Sequence, residues 1–216
     1  MSFQVIMTQL LSGLGRSIEI FVLTLLFSLP LGLLVAFGRM SRNRVVRGLV
    51  WVYISIMRGT PLMLQLLAVY FGPFYIAGMK LGSMWRFTAI IIAFSVNYAA
   101  YFAEIYRSGI ESMPPGQYEA ARILGYSKTS TFFRIIFPQV VKRILPSVTN
   151  EVITLVKDTS LAFSLAYAEM FTIAKQIAAK ETSFMPFLAA ALFYYIFNAI
   201  VAFGMERIEK AMDYYT

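Results

Sequence analysis

Apolar residues run in long blocks separated by short stretches rich in Arg, Lys, Pro and Gly, and the blocks have the length of membrane crossings. A helix needs about 20 mostly apolar residues to span the hydrocarbon core. Five stretches meet that length: Ser17 to Gly38, Gly48 to Phe74, Phe87 to Tyr106, Ile144 to Ala168 and Phe184 to Met205. The pattern predicts an all-α integral membrane chain. No Ser/Gly-rich linker, low-complexity tract or internal repeat divides it, so residues 1–216 read as a single transmembrane domain.

Lys and Arg favour the cytoplasmic side of a membrane. The loop after the first span carries Arg39, Arg42, Arg44 and Arg47, whereas the next carries Lys80 and Arg86. The first of these loops is therefore expected inside. Alternation then places residues 107–143 in the cytoplasm, with Arg107, Arg122, Lys128, Arg134, Lys142 and Arg143. It also leaves the N-terminus outside and the C-terminal tail, with Arg207 and Lys210, inside. Met1 to Gly15 carries no charge and lacks the form of a cleaved signal, so the first span is expected to direct its own insertion.

Composition agrees: 59% of the 216 residues are apolar and 14% are charged, against roughly 45–50% and about 25% in soluble domains. The net charge of +8 resides in short loops rather than in one basic stripe, which argues for lipid head groups and against nucleic acid as a partner. The chain has neither Cys nor His, so disulfides, thiol chemistry and ordinary zinc or haem ligation are excluded. Its 19 Phe, 13 Tyr and 12 Met are scattered as packing and interfacial residues.

The long inner loop carries helix punctuation. Pro114 and Pro115 suit a first turn and Gly125 suits a left-handed stop. About ten residues at 1.5 Å rise make a helix of roughly 15 Å, too short to stand alone in water, so it must dock on something. Ser127 is placed to cap a second short helix through Phe137, which Pro138 would break. The first helix presents Tyr118, Ala120, Ala121, Ile123 and Leu124, either to a groove on a partner protein or to the underside of the membrane helices.

This loop resembles the EAA loop of bacterial importer permeases: Glu119-Ala120-Ala121, then Gly125, Ile135 and Pro138 at the family spacing, with Phe137 where Leu is usual. RGTPLMLQL at Arg58 to Leu66, NYAAYFAEIYRSGI at Asn97 to Ile110 and NEVITLVKDTSL at Asn150 to Leu161 are similar to the polar amino-acid permeases of that superfamily. The resemblance implies a five-helix permease domain of the type I ABC importer kind in the bacterial cytoplasmic membrane, working as a homodimer or heterodimer. It further implies that the short helix around Glu119–Gly125 sits in a cleft of an ATP-binding-cassette ATPase dimer. An extracytoplasmic solute-binding protein would deliver the amino acid. No G-x-x-x-x-G-K stretch is present, so this chain is expected to bind no cofactor of its own and to leave ATP and Mg to the partner ATPase.

Charges deep in a span are costly and mark candidate sites. Arg58, Glu104, Lys157 and Asp158 stand out. Arg58 precedes Gly59, Thr60 and Pro61, where a missing backbone donor and a flexible glycine would open the helix onto a path. Pairing of Arg58 with Glu104 or Asp158, to hold helices together, is the alternative. Lys157 and Asp158 point about 100° apart on a helix and so should meet different partners. A zwitterionic amino acid needs a cationic and an acidic end to its pocket. Arg58, Asn97, Glu104, Lys157, Asp158, Thr159 and Ser160 are the candidate lining. Two other readings compete: an intramembrane enzyme using Ser160 and Lys157, and a passive channel. The enzyme would need an exposed nucleophile and an oxyanion hole, which nothing beyond the spacing suggests, and the cytoplasmic loop argues against the channel.

Overall fold

The computed structural model describes residues 3–80, 82 and 84–212, so the first two and last four residues of the expected 1–216 domain lie outside the described residues. Helix α1, Phe3–Arg39, has 37 residues and therefore a length of about 55 Å, well beyond a hydrocarbon core of about 30 Å. The expected span from Ser17 is its second half. Its first half lies against a later helix, α8 (Met170–Glu181), with Leu10 buried among Met170, Ala174, Ile177 and Ala190.

The expected second span is not one helix. It forms α2 (Arg44–Gly59) and α3 (Leu62–Ala77), which meet at 112°. Asn43 caps α2 by accepting the N–H of Val45 at 2.9 Å. Gly78, in the left-handed region at φ 63°, ends α3.

Helix α4, Trp85–Glu111, is the centre of the bundle and packs chiefly on α1. Its alanines allow that approach: Ala100 and Ala103 are buried with Ala36 of α1 and Ile54 of α2. Small residues at such crossings let membrane helices come close where lipid supplies no hydrophobic drive. Phe94, Phe102, Leu155 and Val156 fill the larger core around it.

The inner loop then forms α5 (Pro115–Ile123) and a continuous helical run from Lys128 to Leu165. That run comprises α6 (Lys128–Thr131), a π turn (Phe132–Ile136), α7 (Phe137–Asp158) and a 3-10 segment (Thr159–Leu165). Ser127 caps α6 as expected, its hydroxyl accepting the Ser130 N–H at 3.2 Å. Pro138 does not break the helix. It stands in the first turn of α7, and the π turn before it re-registers the backbone, the Phe137 N–H reaching back to Phe132 O. One extra residue per turn relieves the place where a proline would otherwise clash.

The chain closes with α8 and α9 (Met185–Ala211). Glu169 is fully buried and caps α8, accepting Phe171 N–H at 2.6 Å, Thr172 N–H at 2.7 Å and the Tyr194 hydroxyl of α9 at 3.0 Å. Arg16 and Arg86 donate to the carbonyls of Ala168 and Ala166, closing the turn after the 3-10 segment. Most apolar side chains of α9, including Leu192, Tyr195, Ile200 and Phe203, are exposed, as on a helix that faces lipid. Among the described residues, α1, α4 and α9 are each long and apolar enough to cross a membrane, and the bent α2–α3 pair makes a fourth. The expected fourth span, Ile144 to Ala168, begins inside α7 and takes in Glu151, Lys157 and Asp158 before the 3-10 segment.

Candidate functional site

At the elbow made by α5 and the start of the helical run that follows it, local rules and packing agree. Pro115 opens α5, and Gly125 (φ 79°) ends the turn. The Gly125 N–H bonds Arg122 O and the Tyr126 N–H bonds Ala121 O, both at 3.0 Å. This is the paired closure that a left-handed residue permits at a helix C-terminus. The elbow is fixed to the bundle by an amide pair, Gln117 and Gln139 each donating to the other's oxygen at 2.8 and 3.0 Å. Arg143 adds a bond to Ser112 O at 2.7 Å. Gly109 lets α4 and α7 touch, because a Cβ there would lie 2.2 Å from Ile144 Cγ2.

The two faces of α5 differ. Ala121 is 2% exposed and turns inward, so it belongs to the elbow rather than to a face offered outside. Ile135 belongs to a separate apolar cluster with Met113, Ile136 and Val140. Glu119, Ala120 and Pro138 are exposed. Ile123 and Leu124 are 86% and 74% exposed, with Tyr118 and Tyr126 partly so. A short helix held rigidly at its base and apolar at its tip is built to seat in a groove.

The second constellation lies at the break between α2 and α3. In an unbroken helix, the Met57 carbonyl would accept the N–H of residue 61, and Pro61 has none. Asn97 Nδ2 and Gln65 Nε2 both donate to it, each at 3.0 Å. Asn97 also donates to Gln65 Oε1 at 2.9 Å, and Gln65 reaches Thr60 O at 3.1 Å and Thr60 Oγ1 at 2.8 Å. The Thr60 hydroxyl returns a bond to Ile56 O at 2.8 Å. Asn97 is thus buried and occupied with repairing a helix end. Gln65 is its partner in that repair and was not singled out from the sequence, where it reads as one polar residue in an apolar run.

Arg58, at the end of α2, forms no ion pair among the described residues. Its guanidinium lies 5.4 Å from the centre of the Tyr101 ring. Glu104 is bound instead by Arg107, at 2.6 Å, and lies 4.0 Å from Arg39. Arg107 also bridges to Glu111. A cavity of about 440 Å³ opens between α2, α4 and α7, lined by Arg58, Tyr101, Glu104, Arg143, Ser147 and Glu151. Glu151, half-buried, is the acidic group that the sequence reading passed over.

Asp158 and Lys157 diverge as their helical offset requires. Asp158 accepts the Tyr98 hydroxyl of α4 at 2.7 Å. Lys157 lines a different, largely apolar cavity of about 430 Å³ with Phe171, Phe187 and Tyr194. Thr159, fully buried, donates to Val156 O at 2.8 Å, and Ser160 donates to Lys157 O at 2.8 Å. Both hydroxyls serve the passage from α7 into the 3-10 segment. The Ser160 hydroxyl is engaged with the Lys157 backbone rather than its amine, so the geometry provides no activated nucleophile.

Known proteins are similar to this chain in sequence and in fold. The chain is 36% identical over 205 residues to the L-cystine transport system permease protein TcyB of Bacillus subtilis (strain 168), covering 94% of this chain and 86% of that one. It is 40% identical over 193 residues to the putative glutamine transport system permease protein GlnP of Rickettsia conorii (strain ATCC VR-613 / Malish 7), covering 88% and 87%. A crystal structure of an amino acid ABC transporter with histidines contains a chain that superposes with a TM-score of 0.87 at 30% identity, over 98% and 99% of the two chains. An inward-facing MetNI methionine ABC transporter shares the fold at a TM-score of 0.76 and 19% identity, over 98% of this chain and 99% of that one. The family model for the inner membrane component of binding-protein-dependent transport systems matches residues 28–214, and the chain belongs to that family.

Proposed function

We propose that this inner-membrane permease carries polar amino acids into the cell, driven by ATP hydrolysis on a separate subunit that it engages through α5. The observation that carries this reading is the elbow: Ile123 and Leu124 exposed at the end of a short helix whose base is fixed by Gln117–Gln139 and by buried Ala121. An ATPase dimer with bound ATP and Mg would grip the helix of each of two permeases, either two copies or two related chains. Glu119, Ala120 and Gly125 would form or shape the gripped surface, and Ile135 and Pro138 would transmit its motion into α7. The continuous helical run from Lys128 to Leu165 is a stiff lever from the elbow to the membrane interior.

The single domain would cross the membrane five times, N-terminus outside and C-terminus inside, with α2–α3 as one bent crossing and α7 as another. The substrate path is drawn through the cavity beside the break. Arg58 would face the carboxylate, and Glu151, Glu104 or Asp158 the ammonium group. Asn97, Thr159 and Ser160 would shape the wall through the backbone they hold. Lys157 would border the path from its other side. A solute-binding protein on the outer face would supply the amino acid, as the family description implies.

The test is reconstitution of the permease with its ATPase in liposomes, addition of the solute-binding protein and ATP, and uptake of a panel of labelled polar amino acids. ATP-dependent uptake of at least one is expected. ATP hydrolysis that responds to the binding protein without uptake of any amino acid would sink the substrate assignment. Failure of the permease to retain any ATPase would sink the coupling assignment.

A further inference from the structure

A second cavity, of about 330 Å³, lies on the other side of Arg58, between the end of α1, α2 and α4. Arg39, Trp51, Ser55, Arg58, Glu104 and Arg107 line it. Three guanidinium groups thus surround one carboxylate, and that carboxylate is already taken by Arg107 at 2.6 Å. Glu111 offsets part of the excess from the rim, through Arg107. Arg39 is left over. Its Nε is buried with no hydrogen-bond partner, and its nearest carboxylate oxygen is 4.0 Å away. A buried guanidinium N–H without an acceptor is costly, so the site calls for an anion.

The neighbouring surface of α2 indicates which anion. Val45, Leu49, Val52 and Ile56 fall on one stripe at helical spacing, and all are exposed. Trp51 and Ser55 stand between that stripe and the arginines, with Trp51 itself half-exposed. An apolar strip beside a cationic pocket, with an indole at the boundary, matches a phospholipid: phosphate in the pocket and acyl chain along the helix. We propose that this cavity is a binding site for the phosphate group of an anionic phospholipid of the inner leaflet, held by Arg39. Inorganic phosphate shares the head-group chemistry but gains nothing from the stripe. The inference rests on the inward orientation of the α1–α2 turn proposed above.

Trp51 provides the probe. The complete transporter is reconstituted in phosphatidylcholine vesicles containing either acyl-brominated phosphatidylglycerol or acyl-brominated phosphatidylcholine, and the Trp51-dependent emission is taken as the part lost in Trp51→Phe. Brominated phosphatidylglycerol is expected to quench that emission at about fivefold lower mole fraction than brominated phosphatidylcholine, the preference that one arginine near a membrane surface supplies. Arg39→Gln should remove the preference, and Arg39→Lys should keep most of it. Equal quenching by the two lipids in the unaltered chain overturns the proposal. So does an unchanged preference in Arg39→Gln. Inorganic phosphate added to vesicles without phosphatidylglycerol should leave Trp51 emission unaltered. A saturable response to it, lost in Arg39→Gln, would assign the pocket to free phosphate and overturn the lipid assignment. Orientation is checked separately with Ser41→Cys, a lone thiol in a chain that has no other. An impermeant maleimide should reach it only from the cytoplasmic face, so a wrong topology and a wrong lipid site give different results.

Discussion

Asn97 on α4 donates a hydrogen bond of 3.0 Å to the Met57 carbonyl on α2, the acceptor that Pro61 leaves without its backbone donor. The two residues are 40 positions apart, and their contact makes a broken helix tolerable in a bilayer, where unpaired backbone groups cost several kcal/mol. Asn97→Ala should therefore lower stability by about 1–3 kcal/mol, the penalty for a buried group stripped of its partner. Gln65, still bonded to the same carbonyl, should hold the loss toward the lower end. The loss reads as a lower melting temperature of the purified complex. Pro61→Ala acts in the opposite sense, restoring a donor to Met57 and favouring a straighter α2–α3. It should preserve folding and impair transport. Unimpaired transport in Pro61→Ala would show that the bend is dispensable.

The exposed tip of α5 makes a different prediction. Ile123→Asp and Leu124→Asp touch nothing that holds the elbow together, since both side chains are largely exposed. Each should leave insertion unchanged and stability within about 0.5 kcal/mol of the parent. Each should also abolish retention of the ATPase and stimulated ATP hydrolysis. Glu119→Lys should do the same by reversing a charge on the gripped surface. Gly125→Pro should fail by another route: φ at 79° is inaccessible to proline. Full stimulated hydrolysis in Ile123→Asp and Leu124→Asp would refute docking through this tip.

The contact between α4 and α7 is tested by filling it. A methyl group at Gly109 would meet Ile144 Cγ2 at 2.2 Å and Val140 Cγ1 at 3.2 Å, so Gly109→Ala must push the two helices apart or force their side chains off rotamer, at about 1–3 kcal/mol. The elbow hangs from this contact, so coupling should suffer before folding does. Ile144→Ala in the same chain removes the obstructing group and should recover much of the stimulated hydrolysis. No recovery in the double variant would place the defect elsewhere.

What could be read from the sequence was local in origin. Pro115 and Gly125 bracket α5 because proline suits a first turn and glycine a left-handed stop, and both rules act within a few residues. Gly59-Thr60-Pro61 announces a break for the same kind of reason. The angle of the break and its repair were not legible, because Asn97 and Gln65 acquire their roles only when α4 is packed against α2. Pro138 misled for lack of one structural device: a π turn upstream absorbs the misfit, and no residue pattern announces it. The uncharged stretch up to Gly15 lacked the features of a separate element because it continues α1 past the length of one membrane crossing and is recognised only through α8. Glu151 was hidden by its neighbours. It lies within an amphipathic helix, where a single acid reads as a polar face, and only the cavity shows Arg58 beside it.

That juxtaposition supplies a prediction about the path. Arg58 and Glu151 line one cavity from two helices, with Tyr101 under the guanidinium. If the pocket takes a zwitterion, each end contributes through a charge-assisted hydrogen bond, worth about 1.5–3 kcal/mol. Arg58→Gln and Glu151→Gln keep hydrogen-bonding side chains but remove the charge, so each should raise the apparent KM for uptake about tenfold or more. ATPase retention should be unchanged, because neither residue lies near α5. Arg58→Lys is expected to recover only part of the loss, since an ammonium keeps the charge but not the planar fork that meets a carboxylate with two bonds. A mutation of the wall has another signature: Ser160→Ala removes only a bond to the Lys157 carbonyl and should leave KM near the parent value. If Arg58→Gln and Glu151→Gln both leave KM and maximal rate unaltered, the solute does not pass between them.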